Sequence, residues 1–305
     1  MPDDHESRDV IDNEARVLDK LGPKSAGENV LTALQHGWLE DNRYYIDMEL
    51  CVINLEQFIR RRRTLTMYPF WSFPPETARG PDICFNLWGI TRQIASGLAF
   101  IHNEGEIHRD LKPQNGRVLD PERIMLILSV LLSIKDAVWK VADFGFTSEG
   151  LHDKPYTSVY GRGTPGYRAP ELLDNDKKVA SRATDIWAFG CIFYKLVTDT
   201  EAFGDDYKVM QFKQQQYTYP SPLTPPLTDP RGRRFINLFI DHIFQVDWSE
   251  RPSAREIRDL SHVSPQCPTP VYVHHNTPLP APVGLYSYDT RWKYVRRSQI
   301  RYHPI

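Results

Sequence analysis

The sequence predicts an α+β fold, with a small strand-bearing front and a mainly helical remainder. Two observations carry this expectation. Strand-like runs at Val30–Leu39 and Tyr44–Cys51 lie early in the chain, with the turn signal Asp41-Asn42 between them. Helical periodicity then dominates: Leu87, Ile90, Ile94, Leu98 and Ile101 step by three or four residues between Phe85 and His102.

Taken in order, the first element is a helix over 7–21. Ile11, Ala15 and Leu18 form its stripe, and Gly22-Pro23 stops it. The two strands follow. Residues 61–81 read as a loop, and the triplet Arg61–Arg63 within it is either an anion patch or, the better-supported reading, a solvated helix end. The Phe85–His102 helix stops at Gly105. A β-like stretch covers Val138–Ala142. A helix over 184–198 carries Ile186, Phe189, Phe193 and Leu196 on one stripe. Further helices are expected at Arg234–Gln245 and Ser253–Leu260, the latter opened by the capping-box pattern Ser-Ala-Arg-Glu. From His262 onward there is no clear period, so 262–305 reads as a tail.

Composition narrows the function. With 37 basic and 39 acidic residues the formal charge is -2, which argues against nucleic acid as a partner. The longest apolar run, Ile124–Ile134, is too short for a bilayer span of about 20 residues, so no membrane association is expected. The acidic start, MPDDHESRDV, is no secretory signal. Cys51, Cys84, Cys191 and Cys267 are too scattered for a zinc site and read as reduced thiols of an intracellular protein, cytoplasmic or nuclear. Twelve of the 24 prolines fall between Pro220 and Pro282. The stretch Tyr219–Pro230 is either a polyproline II docking ligand or, preferably, a loop between helices.

The chemistry-bearing residues lie between 106 and 190. EIHRDLKPQN supplies His108, Arg109, Asp110, Lys112 and Asn115; VADFGF supplies Asp143 and Phe144; GTPGYRAPE runs from Gly163 to Glu171; DIWAFG begins at Asp185. Phosphoryl transfer needs metal ions on the phosphates and a carboxylate near the incoming hydroxyl. Asp110 can accept the hydroxyl proton, Lys112 can offset the charge of the transferring group, and Asn115 and Asp143 are oxygen ligands of the kind magnesium prefers.

These motifs, in this order, resemble the eukaryotic protein kinase family over roughly residues 9 to 261. Lys112 resembles the serine/threonine branch, and the wording YYIDMELC and KDAVWKVADFGF resembles fungal kinase-like proteins. The resemblance implies a two-lobe kinase-like fold. It also implies ATP and Mg2+ as cofactors, a protein substrate, and transfer of the γ-phosphoryl group to a serine or threonine hydroxyl. Asp110 and Lys112 take the catalytic roles. Met48 resembles the gatekeeper, Glu49 to Cys51 the adenine-binding hinge, and Leu131 the floor of the adenine pocket. Glu14 resembles the helix-C glutamate; Leu18, His108 and Phe144 resemble members of the hydrophobic stack between the lobes. Thr164 resembles the threonine that bonds the catalytic aspartate, Glu171 and Arg251 the buried ion pair, and Asp185 the aspartate that holds the catalytic-loop backbone. Arg109 suggests activation by phosphorylation, for which Thr157 and Ser158 are either the sites or plain polar loop residues. Gln114 stands where kinases that prefer basic substrates often carry an acid.

Two departures qualify the resemblance. No glycine-rich loop and no Ala-x-Lys strand precede Glu14, and Lys20 and Lys24 lie at the far end of the helix. The expected organisation is therefore a partial N-lobe over 1–50, a hinge and C-lobe over 51–261, and the tail. A sheet of about three strands with an exposed edge follows. Second, residues 116–129 read as an insertion between Asn115 and the strand VLLS (Val130–Ser133); in an alternative register Arg117-Val118-Leu119 forms that strand. The competing functional reading is a catalytically impaired pseudokinase or scaffold that binds protein partners.

Overall fold

The computed structural model describes residues 4–24, 28–40, 44–65, 86–113, 129–150, 156–157, 163–174, 179–220, 230–261 and 298–302. Helix α1 (Asp4–Leu21) extends the expected helix by three residues at its start. It buries Ile11, Glu14, Val17, Leu18 and Leu21, and a 3-10 turn over Gly22–Lys24 ends it.

Strands β1 (Ala33–Trp38) and β2 (Tyr44–Met48) pair antiparallel, Trp38 opposite Tyr44 and Gln35 opposite Asp47. Both are shorter than their apolar runs, because each run serves two partners. The start of the first run leaves the sheet: the Leu31 N–H donates to the Val141 carbonyl at 2.8 Å, and the Val141 N–H to Asn29 at 2.8 Å. The second run breaks at Glu49-Leu50, after which β3 (Cys51–Asn54) joins a different sheet.

The other edge of β2 is paired as well. Strand β10 (Ser298–Tyr302), from the stretch read as a tail, pairs antiparallel with it from Ser298 opposite Met48 to Tyr302 opposite Tyr44. The sheet has three strands in the order β1-β2-β10. An unpaired row of N–H and C=O groups is a template for any extended segment, and Ile300 and Tyr302 favour strand geometry.

The second sheet has the order β3-β5-β6, with β5 at Val130–Ser133 and β6 at Trp139–Val141. VLLS thus forms the strand, with Leu131 opposite Asn54. The alternative strand at Arg117-Val118-Leu119 lies outside the described residues.

Helix α2 (Leu55–Leu65) follows β3 directly. Residues 61–65 are therefore helical rather than loop; residues 66–81 lie outside the described set. Leu55, Phe58 and Ile59 face the core while Arg60 and Arg61 are exposed. The run of arginines masked that narrow stripe, and the triplet lies within the last turns of the helix, where Arg61 is exposed.

The helical half is built on α3 (Leu87–Asn103), capped by the Asn86 side chain accepting from the Trp88 N–H at 3.0 Å. Gly97 is required in α3: a Cβ there would sit 2.3 Å from the Asn29 carbonyl oxygen. Around it pack α4 (Arg182–Thr198), α6 (Pro230–Ile243) and α7 (Ala254–Leu260). The expected capping box is formed at α7, between Ser253 and Glu256. Helix α6 begins earlier than its apolar pattern, because Pro230 is preset for a first helical turn. Helix α5 (Asp206–Lys213), capped by Asp205, had no clear apolar stripe to announce it. Trp187, Phe203 and Phe244 stack at the centre, with Trp187 4.9 Å from Phe244 and 5.2 Å from Phe203.

Glu171 and Arg251 make a two-pronged ion pair at 2.7 and 2.8 Å, as the sequence led one to expect. Arg251 also donates to the Gln245 and Ala183 carbonyls and lies 5.0 Å over the Trp187 ring. Glu171→Ala would leave that guanidinium buried without its counter-charge. It should cost about 3–5 kcal/mol, read as a lowered urea midpoint. Deleting residues 298–305 should reopen the β2 edge. The expected outcome is concentration-dependent growth of scattering at neutral pH while the far-UV helical signal is retained.

Candidate active site

The site is assembled on a loop that follows the short strand β4 (Glu106–Ile107), which pairs with β7 (Ser148–Glu149). Asp185, in the first turn of α4, fixes that loop. Its Oδ2 accepts from the His108 N–H at 2.8 Å and contacts His102 Nε2 at 2.8 Å; its Oδ1 accepts from the Arg109 N–H at 2.8 Å. Burial pushes the Asp185 carboxyl up, but these partners outweigh it and hold it below the ordinary carboxylate value. Arg109 is held at φ 71°, a left-handed conformation that this pair of backbone bonds maintains.

Asp110 comes next. Its Oδ1 accepts from the Thr164 hydroxyl at 2.7 Å and its Oδ2 from Lys112 Nζ at 2.6 Å. Lys112 also donates to Thr164 Oγ1 at 3.0 Å, closing a triangle of carboxylate, ammonium and hydroxyl. Gly163 lets Thr164 come this close: its φ is 110°, and a Cβ there would stand 2.9 Å from the Arg109 carbonyl.

Behind Asp110 lies a residue that sequence reasoning missed. Ser129, counted with the expected insertion, is buried; its hydroxyl donates to the Asp110 carbonyl at 2.9 Å, and its own carbonyl accepts from the Ala142 N–H at 2.9 Å. It ties the Asp110 loop to the Asp143 loop. The available signal was its place immediately before the buried strand β5.

Asp143 is half-buried at φ 68°; its Oδ2 is buried and, among the described residues, has no hydrogen-bond partner. Burial first, then the charges of Glu14 and Asp110, push its carboxyl well above the ordinary range, with Lys112 and the Gly145 N–H opposing. The His108 ring packs 5.9 Å from Phe144. Burial depresses the His108 imidazole. The neutral ring then donates from Nε2 to the Ala142 carbonyl at 2.8 Å and accepts the Asp110 N–H at Nδ1, 3.3 Å away.

Helix α1 is locked onto this segment. Asn13 Nδ2 donates to the carbonyls of Phe144, Gly145 and Thr147 at 3.3, 3.1 and 2.7 Å. Arg16 and Lys20 both reach Glu106 at 2.7 Å, and Lys24 pairs with Glu104. Lys20 and Lys24 are therefore engaged away from Glu14, as expected. Glu14 and Leu18 are buried on the same helix.

In the segment expected to be the hinge, Met48 ends β2 and Cys51 begins β3. The Glu49 carboxylate turns inward, taking Lys140 at 2.8 and 2.9 Å, the Ser133 hydroxyl at 2.7 Å and the Thr32 N–H at 2.9 Å. Met48 and Leu131 share one core cluster with Ala142 and Phe144. The Cys51 thiol is pushed up to about 12, by burial and then by Glu49; it is no nucleophile. Thr157 lies in the two-residue strand β8 (Tyr156–Thr157), opposite Val179 of β9 (Val179–Ala180), rather than in a plain loop. Asn115 and Ser158 lie outside the described residues.

Among the described residues no cluster of three or more His, Cys, Asp or Glu is arranged to hold a metal. The unpartnered Asp143 oxygen, in a pocket of negative charge, nonetheless fits a hard divalent cation.

A buried ionisable loop fixed from α4 and closed by α1 defines a class, and the chain belongs to it: the protein kinase domain model matches residues 2–263. The chain is similar to Maternal embryonic leucine zipper kinase of Danio rerio, 29% identical over 191 residues, 62% of this chain and 25% of that protein. It is 37% identical over 149 residues to calcium/calmodulin-dependent protein kinase type II of Caenorhabditis elegans, 48% of this chain and 18% of that protein. Serine/threonine-protein kinase BCK1/SLK1/SSP31 of Saccharomyces cerevisiae is 29% identical over 177 residues, 57% of this chain and 10% of that protein. The chain therefore spans a quarter or less of the length of these three relatives.

Asp143→Asn removes a carboxylate whose ionisation the fold opposes. A raised native pKa contributes stability at low pH that is lost as pH rises above the unfolded value of about 3.9. The variant should therefore melt higher than the parent in metal-free buffer. The gain should be small near pH 4 and grow toward pH 8 in a thermal-melt series.

Proposed function

We propose that this chain is a catalytic unit of a serine/threonine protein kinase. It transfers the γ-phosphoryl group of ATP to a hydroxyl of a protein substrate. The observation that carries the reading is the Asp110–Lys112–Thr164 triangle, with all three groups within 3.0 Å of one another. The substrate hydroxyl oxygen bonds to the γ-phosphorus, the bond from that phosphorus to the β–γ bridging oxygen breaks, and ADP departs. Asp110 takes the hydroxyl proton, because its carboxylate is held by two donors that orient it. Lys112, already beside Asp110, offsets charge on the transferring group. Thr164 fixes the carboxylate plane.

Bound magnesium supplies charge neutralisation on the phosphates. Asp143 would hold it, through the oxygen that lacks a partner, together with Asn115. Met48, Glu49, Cys51 and Leu131 are assigned to the adenine side. Residues 1–50 are read as the smaller lobe, 51–261 as hinge and larger lobe, and 116–129 as an insertion between the two tethered loops. Phosphorylation at Thr157 or Ser158 is assigned a regulatory role through Arg109. The names of the relatives support the serine/threonine assignment: the yeast protein carries it in its name.

The test has two arms. Mg-ATP at millimolar concentration should raise the melting temperature of the chain, and Asp143→Asn should diminish that rise. Radiolabel transfer to a generic protein acceptor such as casein should fall to background in Asp110→Ala, a loss of at least about a hundredfold, the lower range for a general base. Transfer that survives Asp110→Ala would sink the assignment.

A further inference from the structure

The loops that carry Asp110 and Asp143 are joined by a closed ring of four hydrogen bonds. The Ser129 hydroxyl donates to the Asp110 carbonyl at 2.9 Å, and the Ser129 carbonyl accepts from the Ala142 N–H at 2.9 Å. The Ala142 carbonyl accepts from His108 Nε2 at 2.8 Å, and His108 Nδ1 accepts from the Asp110 N–H at 3.3 Å. Both backbone polar groups of Asp110 are thus routed to Ala142, the residue before Asp143, one through Ser129 and one through His108. Asp110, Ser129, His108 and Ala142 are all buried, so the ring forms in a low-dielectric interior that strengthens its bonds.

The two arms are unequal. The bond from the Asp110 N–H to His108 is longer than the ordinary N–H range, whereas both Ser129 bonds lie within theirs. The strand register fixes the stronger arm: Val130 of β5 stands opposite Val141 of β6, so Ser129 and Ala142 meet at the end of that ladder. The bonds of Asp110 to Thr164 and Lys112 turn its carboxylate, but they do not run to the Asp143 loop. The segment read as an insertion, 116–129, ends on Ser129. Joining Asn115 directly to Val130 would put an amide at this place; the chain puts a hydroxyl there, and either group can donate to a carbonyl.

We propose that Ser129 is a positioning residue for phosphoryl transfer: its hydroxyl sets where Asp110 stands relative to Asp143, and so places the proton acceptor relative to the carboxylate assigned to magnesium. The role rests on the phosphotransfer reading. Ser129 acts through the Asp110 main chain, not on the reacting atoms. Removing the hydroxyl leaves the Asp110 carboxylate with both its donors, so nucleotide binding should persist while the alignment of the acceptor is lost. A misplacement of about 1 Å in such a group costs on the order of a hundredfold in rate.

The experiment compares Ser129→Ala, Ser129→Thr and Ser129→Asn with the parent and with Asp110→Ala, well below the melting midpoint of each protein. Ser129→Ala should lower kcat for radiolabel transfer from Mg-ATP to casein about tenfold to a hundredfold, with KM for ATP within about twofold of the parent's. Ser129→Thr and Ser129→Asn keep a donor, and whichever folds should recover most of that loss. Hydrogen exchange gives a readout free of activity: in Ser129→Ala the amides of residues 106–113 and 139–143 should exchange about tenfold faster while α3 and α4 keep parental protection. A serine with only a structural role would lower protection throughout or leave it unchanged everywhere, and would not separate kcat from KM; either result overturns the proposal. So would parental kcat in Ser129→Ala, or folded Thr and Asn variants as slow as Ser129→Ala. Transfer indifferent to Asp110→Ala would instead overturn the phosphotransfer reading itself.

Discussion

The carboxylate of Asp185 is the interaction on which the site depends. It is fully buried, and burial alone would favour its neutral form. It stays charged because two backbone N–H groups and His102 converge on it. In return it holds His108 and Arg109 in a geometry that free chains avoid, with Arg109 at φ 71°. Such a conformation costs on the order of 1–3 kcal/mol, and charge-assisted bonds in a dry interior are of the size that offsets it. The direction of Asp110 follows from that pinned turn. Thr164 and Lys112 then refine an orientation already imposed from α4.

The negative charge gathered at Asp143 has a structural counterpart in α1. Asn13 clamps the carbonyls of Phe144, Gly145 and Thr147, while Arg16 and Lys20 anchor the same helix to Glu106. These bonds hold Glu14 close enough for its charge to raise the Asp143 carboxyl. The helix is thus held by neutral and peripheral contacts against a repulsion at its centre. That is the arrangement expected of a site whose charge balance is completed by a cation.

Much of this was legible in the sequence, and the reason is local. The α3 stripe, the Ser253 capping box and the Glu171–Arg251 pair are written in short patterns or in motifs of fixed spacing. What escaped was set by tertiary competition. The Val30–Leu39 run is strand-like throughout, yet its start is drawn off to Val141. Four consecutive arginines, Arg60–Arg63, hid the helix stripe made by Leu55, Phe58 and Ile59. Ser129 looked like filler because a hydroxyl carries no periodic signal; only its contact with the Asp110 carbonyl gives it meaning. Strand β10 was invisible because nothing in SQIRY names β2 as its partner.

That last element also bears on how the smaller sheet is completed. Strand β2 is its centre, and its two neighbours come from opposite ends of the sequence, β1 ending at Trp38 and β10 beginning at Ser298. Pairing with β1 is local and closes a short loop; pairing with β10 must close one of about 250 residues. Loop-closure entropy grows only logarithmically with length, so the penalty is several times smaller than intuition suggests. It still has to be met before the strand's own hydrogen bonds return anything. The helical half, held by Glu171–Arg251 and the aromatic stack around Trp187, brings the distant segments near enough for that closure. The smaller sheet is therefore completed on the larger helical unit, which makes the stability of its β2 edge a property of the whole chain rather than of the first fifty residues.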